Sequence, residues 1–447
     1  MNQHSSDPDG IQPIPSAPRD ADSPASPGPQ EAGAGQPRWS GHAGRSRPHT
    51  GPADVSLRGP AELADALPYL LGFYPDDSIV AVSLHGERGR FGGRLRIGIP
   101  DSPEEWPAIA SQVAECMEAT ALARGPRPDG ALIFLCQEPA IGESGAKVKE
   151  RLAPLAQRLR LACGELDMPV YEALCLSTGR FWSYCCPDPR CCSDEGTPLA
   201  APGTSAMAAA AAYSGMRVHG SLREMEERLS ALGPPLAEQQ ERALDAVGAR
   251  LVSRMLTSDG RDQVRDETMA LVGRAMDRFH RIVAPSGGTL KEEDVHDDGI
   301  LTHDEAASLI LGLQDRRTRD LAAEWMEGLD VEPALRLWRA LARRCVGPYA
   351  EHAVALLTLA GWVAWSGGDS ATARVALAKA LRADPEYLFA QLLNQACNEG
   401  LDPELLRRCM RRDQAVRQHS ESDEEDEQPD AARRPVPRDP RAHPPFT

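Results

Sequence analysis

The sequence has few of the features that are typical of proteins that bind nucleic acids or membranes. Only four of its 49 basic residues are lysine, and its 66 acidic residues leave a formal net charge of -17. Such an excess of negative charge repels phosphate backbones and anionic lipid head groups. The longest apolar stretch, AVALLTLAGWVAW, is shorter than the roughly 20 residues that a bilayer crossing needs. We therefore expect neither nucleic acid nor membrane as a partner.

The N-terminus shows no secretory pattern, because MNQHSSDPDGIQPIPSAPRD lacks a basic segment followed by an apolar one. The chain has 11 cysteines in 447 residues, and seven of them lie singly within helical or strand patterns. Single cysteines of this kind are typical of small buried side chains in a reducing compartment. We therefore expect a cytoplasmic protein.

Recognisable catalytic motifs are missing as well. The sequence contains no Ser-His-Asp arrangement, no nucleophile elbow and no His-Glu-x-x-His. The segment GESGAKV lies between a strand pattern and a helix pattern, where a phosphate loop would lie. It lacks a glycine immediately before Lys147 and a serine or threonine after it, so the magnesium ligand is absent. The sequence therefore predicts no bound nucleotide and no cofactor. The alternative to the absence of a cofactor is a bound zinc ion.

Composition divides the chain into five segments. Residues 1–53, rich in Pro, Gly and Ser, and residues 413–447, acidic and then rich in Pro and Arg, bury too little apolar area to offset the entropy of ordering, which predicts disordered termini. Residues 54–202 alternate helix and strand patterns, which predicts an α/β domain with a mixed sheet that ends in a cysteine-rich loop. An all-α helical domain is predicted over residues 203–345, followed by helical hairpins over residues 346–412.

The helical hairpins have a spacing similar to that of a tetratricopeptide repeat. Small residues recur at Gly361, Ala373 and Ala380, where they let two antiparallel helices approach closely. An ordinary helical hairpin explains the same pattern equally well. A repeat array would offer a groove to a protein or peptide partner.

The segment FWSYCCPDPRCCSDEGTPL holds four cysteines within eight positions. Cys186 and Cys191 have a spacing that a zinc knuckle allows, but a second pair of ligands is missing. A redox pair prefers Cys-x-x-Cys at a helix N-terminus, and this segment has neither. The pattern favours a structural loop with Trp182 and Tyr184 packed beneath it. Zinc bound by Cys186, Cys191 and Cys192 is the alternative.

The segment DVHDDGILTHDE, residues 294–305, spaces its acidic residues and glycine like a calcium loop. His296 stands where a hard cation needs an oxygen ligand. A calcium loop also needs a helix that runs straight into Asp294, and APSGGTLKEED is not predicted to form one. Thr302 and Glu305 make a capping box for the following helix, which explains both residues without a metal. No calcium site is predicted.

Three segments together resemble a known family: LLGFYPDDSIV, GRFWSYCCPDPRCCSDEGTPL and LTHDEAASLILGLQDRRTRD. They are similar to an actinobacterial family, domain of unknown function 4192, over about residues 54–400. Cys185 and Ser193 depart from the family's pattern. The family has no established activity, so the resemblance implies no catalytic residue. The positions that match the family's motif are Gly179, Arg180, Trp182, Ser183, Tyr184, Cys186, Cys191, Cys192, Gly196 and Pro198.

Two classes of function stay open. The favoured class is a non-catalytic binding or interaction module, whose C-terminal helices take a protein or peptide. The alternative is an enzyme of unrecognised type, with or without zinc. Its site would lie at the carboxyl ends of the strands, where FLCQEPAIGESG and the cysteine-rich loop would converge.

Overall fold

The computed structural model describes most of the chain between residues 39 and 426. The side chains of residues 39–41, 55–56 and 418–426 are not described. The termini predicted to be disordered lie outside the described residues, apart from one short strand and the end of the last helix. The described ranges are 39–41, 55–57, 59–123, 125–186, 188, 192–213, 216–282 and 289–426.

One mixed sheet occupies the N-terminal part, as predicted, with strand order β2-β1-β4-β3-β5-β6-β7-β8. The pairs β5–β6 and β1–β4 are parallel, and the other neighbouring pairs are antiparallel. The strands are β1 Trp39–Gly41, β2 Val55–Leu57, β3 Ser78–His85, β4 Arg90–Gly98, β5 Gly130–Cys136, β6 Val170–Ser177, β7 Arg180–Ser183 and β8 Thr197–Pro198.

The central strands β3 and β5 are buried almost throughout, because both faces of the sheet are covered. On one face, Ile79 and Ile133 pack against helices α2, Trp106–Leu122, and α3, Gly145–Glu165. On the other face, Val80 and its neighbours pack against α1, Pro60–Leu71. Proline does not interrupt α3, which runs as one helix through Pro154.

After β8 the described chain contains helices and no further strand, which confirms the predicted all-α second part. Short 3₁₀ turns lie at 103–105, 328–330 and 347–352. The helices are α4 Ala206–Tyr213, α5 Leu222–Glu227, α6 Leu236–Met255, α7 Ser258–Arg281, α8 Leu290–Asp298, α9 His303–Gly312, α10 Arg316–Ala322, α11 Val331–Arg343, α12 Ala353–Ser366, α13 Ser370–Ala383, α14 Leu388–Glu399 and α15 Glu404–Asp426.

The sheet and the helices share one hydrophobic core. A single cluster of buried side chains runs from the α1 face of the sheet into the helices from α6 to α14. At the junction Gly72 ends α1 with φ +88°, and a Cβ added there would lie 2.6 Å from the Cβ of Ala371 in α13. His219 also contacts Asp369, the N-cap residue of α13, with Nε2 and Oδ2 2.9 Å apart.

Helix α8 corrects the sequence analysis. APSGGTLKEED was not expected to be helical, yet a helix begins at Leu290 and includes Asp294. Its start is fixed by a capping box between Thr289 and Glu292, a signal that is present in the sequence and was missed. The reason given against a calcium loop, a missing incoming helix, was therefore wrong. Asp294 lies within a helix instead of at the start of a loop.

Helix α15 reaches Asp426, beyond the boundary predicted at residue 412. Its arginines hold it to the helical part, since Arg411 contacts Glu327 and Arg417 contacts Glu324. Arginine–glutamate pairs within the helix add to this, as Glu404 accepts from both Arg408 and Arg411. The acidic segment therefore begins as a continuation of an anchored helix.

The hairpin of α12 and α13 has the close approach that its small residues predict. A Cβ added at Gly361 would lie 2.6 Å from Cγ of Leu377 and 3.4 Å from the carbonyl oxygen of Ala373. Only glycine lets the two helices come this near at that level. The assignment to tetratricopeptide repeats stays a prediction.

Candidate active or binding site around Trp182

A pocket of about 480 Å³ lies at the carboxyl ends of β5 and β6, beside the N-terminus of α3. The segment GESG and the end of the cysteine-rich loop meet here, because Ser144 and Asp194 line the same pocket. In α/β folds ligands bind at this edge, where the loops after the strands gather. The lining residues are Ser144, Gly145, Ala146, Thr178, Arg180, Trp182, Asp194 and Glu195.

A two-residue turn between β6 and β7 positions Arg180. Thr178 and Gly179 both have positive φ, +52° and +67°, as a two-residue hairpin turn of type I′ requires. Threonine rarely adopts this conformation, and the Glu138 carboxylate holds it by accepting the Thr178 amide at 3.2 Å. The Arg180 guanidinium then donates to the carbonyl of Gly196 at 2.8 Å, which ties β7 to the end of the cysteine-rich loop.

The indole of Trp182 is a fixed wall of the pocket. Trp182 is 5% exposed, and its indole N–H donates to the carbonyl of Asp194 at 3.0 Å. Added Cβ atoms at Gly145 and Gly196 would lie 2.6 Å and 2.4 Å from ring atoms, so the backbone of two glycines touches the ring. Tyr184 donates its hydroxyl to the carbonyl of Lys149 in α3 at 2.8 Å. The loop's aromatic residues are thus held against the α3 face of the sheet.

Ser183 organises the start of the cysteine-rich loop. Its hydroxyl donates to Oε1 of Glu172 at 2.7 Å and accepts the amides of Cys185 and Cys186, each at 3.0 Å. Burial raises the pKa of the Glu172 carboxyl, although the bond from Ser183 works against that rise. The loop does not leave for the helical part directly, as the sequence suggested. It returns to the sheet as β8, whose Pro198 pairs with Arg180.

The structure describes two of the three candidate zinc ligands. Cys191 lies outside the described residues, and Cys186 and Cys192 are half-buried. The amide of Cys192 donates to the carbonyl of Asp188 at 2.8 Å. Where the structure describes side chains, no group of three or more His, Cys, Asp and Glu is arranged to hold a metal ion.

The cysteines of the sheet layer have little thiolate character. Burial raises the pKa of Cys175, behind Trp182, and of Cys163, in α3, to about 11 each. Burial also raises the pKa of Cys136, at the end of β5. The thiolate is the reactive form, so these three thiols are poor nucleophiles at neutral pH.

The N-terminus of α3 supplies hydrogen-bond donors to the pocket. Ser144 is the N-cap residue, and its hydroxyl accepts the amide of Lys147 at 3.4 Å. The first amides of a helix have no intrahelical partner and form the positive end of its dipole. The exposed residues Asp194 and Glu195 line the same pocket. The described lining therefore combines donors, carboxylates and an indole, with no histidine, cysteine or lysine among them.

A chain of polar contacts continues along the same edge of the sheet. Arg223 donates to Asp77 at 2.9 Å, Gln137 donates to Asp77 at 3.2 Å, and Arg151 donates to Gln137 at 2.7 Å. Arg151 also donates to both carboxylate oxygens of Glu143 at 3.0 Å, and these hydrogen bonds lower the pKa of the Glu143 carboxyl. No sequence pattern predicts these polar contacts, because the residues come from four segments that only the fold brings together.

A family model matches residues 60–404, from the start of α1 to the start of α15. The chain belongs to the DUF4192 family, a domain of unknown function. The pocket, the polar contacts around Asp77 and Arg151, and the helices from α4 to α14 all lie within the DUF4192 segment. No curated protein and no solved structure is significantly similar to this chain. None of the described DUF4192 helices combines the length and the apolar character of a membrane span.

Proposed function

We propose that this chain is a non-catalytic binding protein of the actinobacterial cytoplasm that takes a small polar ligand in the pocket around Trp182. The observation that carries the proposal is the pocket itself, whose lining brings together Arg180, the first residues of α3 and the acidic residues Asp194 and Glu195. A concave site with a rigid aromatic wall and a few convergent polar groups is the usual form of a ligand site.

The chemistry of the lining supports binding rather than catalysis. Nucleophilic catalysis needs a nucleophile within hydrogen-bond reach of a general base. The hydroxyl of Ser144 accepts the amide of Lys147, and in the described structure no hydrogen bond joins it to a histidine or to the carboxylates of Asp194 and Glu195. Arg180 is held by two backbone carbonyls, as suits a positioning cation.

Thermal-shift screening of a panel of polar metabolites tests this proposal. Ala146→Trp places a large side chain in the pocket mouth, and Glu150→Trp, on an exposed position one turn along the same helix, is the matched control. We expect a metabolite that stabilises the wild type and Glu150→Trp but not Ala146→Trp. Mass spectrometry should then recover that metabolite unchanged. A product of different mass would favour the enzyme alternative, and equal responses of all three proteins would contradict the pocket.

A second candidate function is docking of a protein or peptide on the C-terminal helices. Leu388 and Leu392 of α14 lie one turn apart and are 65% and 55% exposed, and Leu405 at the start of α15 is also 65% exposed. Exposed leucines on neighbouring turns of one helix are typical of a helix that packs against a partner. Pull-down with the wild type and with Leu388→Ser/Leu392→Ser tests it. The double variant should lose a partner that the control Leu256→Ser, at an exposed position just after α6, retains.

A further inference from the structure

Helix α11 is buried on all sides although it carries an arginine face. Arg336, Arg339 and Arg343 follow one another at spacings of three and four residues, which places them on the same side of the helix. Each is at most 7% exposed. A guanidinium keeps its charge when it is buried, so each needs an acceptor of opposite charge.

Two of these arginines are fully matched by α8. Arg336 donates to both carboxylate oxygens of Asp297, with its shortest bond at 2.6 Å. Arg343 donates to both oxygens of Asp298 and, at 3.2 Å, to Asp294. Acidic residues of the segment that is spaced like a calcium loop are therefore the counter-ions of α11.

Arg228 and Arg344 complete the cluster. Arg228, which ends α5, donates to both oxygens of Asp294 and to Glu293 at 3.3 Å. Arg344 donates to the carbonyl of Leu301 and the side chain of Gln240. The carboxylates bonded within this cluster are Glu293, Asp294, Asp297 and Asp298, four against the five guanidinium groups of Arg228, Arg336, Arg339, Arg343 and Arg344.

Arg339 and Arg344 both lack a carboxylate partner, but Arg344 donates to a carbonyl and an amide oxygen, whereas Arg339 has no acceptor among the described residues. Across the described part of the chain it makes no hydrogen bond and no ion pair, and its Nε is buried without an acceptor. Asp294 attracts it electrostatically but is already shared by Arg228 and Arg343, and Glu332 is exposed at the first turn of α11. Burial and, to a smaller extent, the neighbouring Arg228 lower the pKa of Arg339 to about 10. An uncompensated buried charge is strongly destabilising.

We propose that Arg339, beside Arg228 and Arg343, binds a small oxyanion of the phosphate type. One bound anion removes the excess positive charge of the cluster and supplies acceptors to Nε and the terminal nitrogens of Arg339. A planar guanidinium fork matches two oxygens of a phosphate. Arg339 is only 7% exposed, so the ligand is inorganic phosphate or the phosphate group of a small molecule, and a peptide or nucleic acid is too large to reach it. This site is separate from the pocket around Trp182.

The test uses the full chain in an anion-poor buffer, with inorganic phosphate titrated against acetate at equal ionic strength. Saturating phosphate should raise the melting temperature of the wild type by about 3 °C or more, since a ligand stabilises the state that binds it. Arg339→Met should lose this response. Arg274→Met, at an exposed position of α7, should keep it. Calorimetry should give one phosphate per wild-type chain, and glucose 6-phosphate in a parallel arm distinguishes an organic phosphate from the free ion.

Stability without phosphate gives an independent readout. Arg339→Met, and Arg339→Gln as a second variant, should then melt no lower than the wild type, because each removes an unmatched buried charge. A lower melting temperature or failure to fold in both would show that Arg339 is already compensated within the protein and would overturn the proposal. An equal phosphate response in Arg339→Met, or equal stabilisation by acetate, would overturn it as well.

Discussion

Trp182 joins β7, α3 and the cysteine-rich loop through one buried side chain. Trp182→Ala removes the indole that Gly145 and Gly196 touch and leaves the carbonyl of Asp194 without its donor. We expect the free energy of unfolding to fall by about 3–5 kcal/mol, the usual cost of deleting a large buried aromatic side chain. Urea unfolding followed by far-UV circular dichroism measures it. Tyr213→Ala, at a position that is 81% exposed, is the control and should change little. A loss of less than about 1 kcal/mol for Trp182→Ala would contradict a structural role.

A comparison of Gly196 with Gly203 separates the energy of the contact with Trp182 from the energy cost of a left-handed backbone. Gly196 and Gly203 both have positive φ, +76° and +81°, but an added Cβ meets the Trp182 ring only at Gly196. Each substitution by alanine costs about 1–2 kcal/mol for the left-handed backbone. Gly196→Ala should cost clearly more than Gly203→Ala in the same urea experiment, because the ring must also move. Equal losses of unfolding free energy in the two variants would mean that the Trp182 ring moves aside without an energetic cost.

Sequence patterns predicted the residues that act locally and missed those that act across the fold. The capping box of Thr302 with Glu305 is confirmed, because it depends on four consecutive residues. The convergence of GESG with the cysteine-rich loop was also expected, since β5 and β6 are parallel and end at one edge. Arg339 could not be found in this way. A row of arginines at helical spacing is typical of an exposed face, and only the position of α8 buries it.

The helices α12 and α13 approach closely at Gly361, and a second glycine, Gly273 of α7, separates the effect of packing from that of helix propensity. Gly273, inside α7, has open space around an added Cβ, whereas Gly361, inside α12, would place one against Leu377. Gly273→Ala should raise the melting temperature, because alanine gains roughly 1 kcal/mol over glycine within a helix. Gly361→Ala should lower it despite the same gain. Differential scanning calorimetry compares the two. A stabilised Gly361→Ala would show that the helices can separate without cost.

The N-cap of α13 links two elements and makes stability depend on pH. Burial alone would raise the pKa of the Asp369 carboxyl, but the hydrogen bond from His219 holds it below its ordinary value. A depressed pKa contributes stability that is present above the unfolded-state value near 3.9 and is lost as the pH falls toward the folded-state value. The wild type should therefore exceed Asp369→Asn in unfolding free energy at pH 7 and pH 5. That difference should shrink below about pH 4. A difference that stays constant down to pH 3 would exclude the linkage.

The predicted boundary at residue 202 separates two segments that share one hydrophobic core. We therefore expect that the sheet segment does not fold cooperatively without the helices. Val80, Val82 and Phe134 lie on the face of the sheet whose core continues into the helices, and each is at most 2% exposed. A fragment of residues 54–202 leaves that face to α1 alone and exposes a large apolar surface. The fragment should bind a hydrophobic dye and lack a cooperative urea transition, whereas residues 54–426 should unfold in one calorimetric transition. A fragment that unfolds cooperatively with a native-like near-UV spectrum would instead make the sheet an independent domain, because its own core would then suffice without the helices.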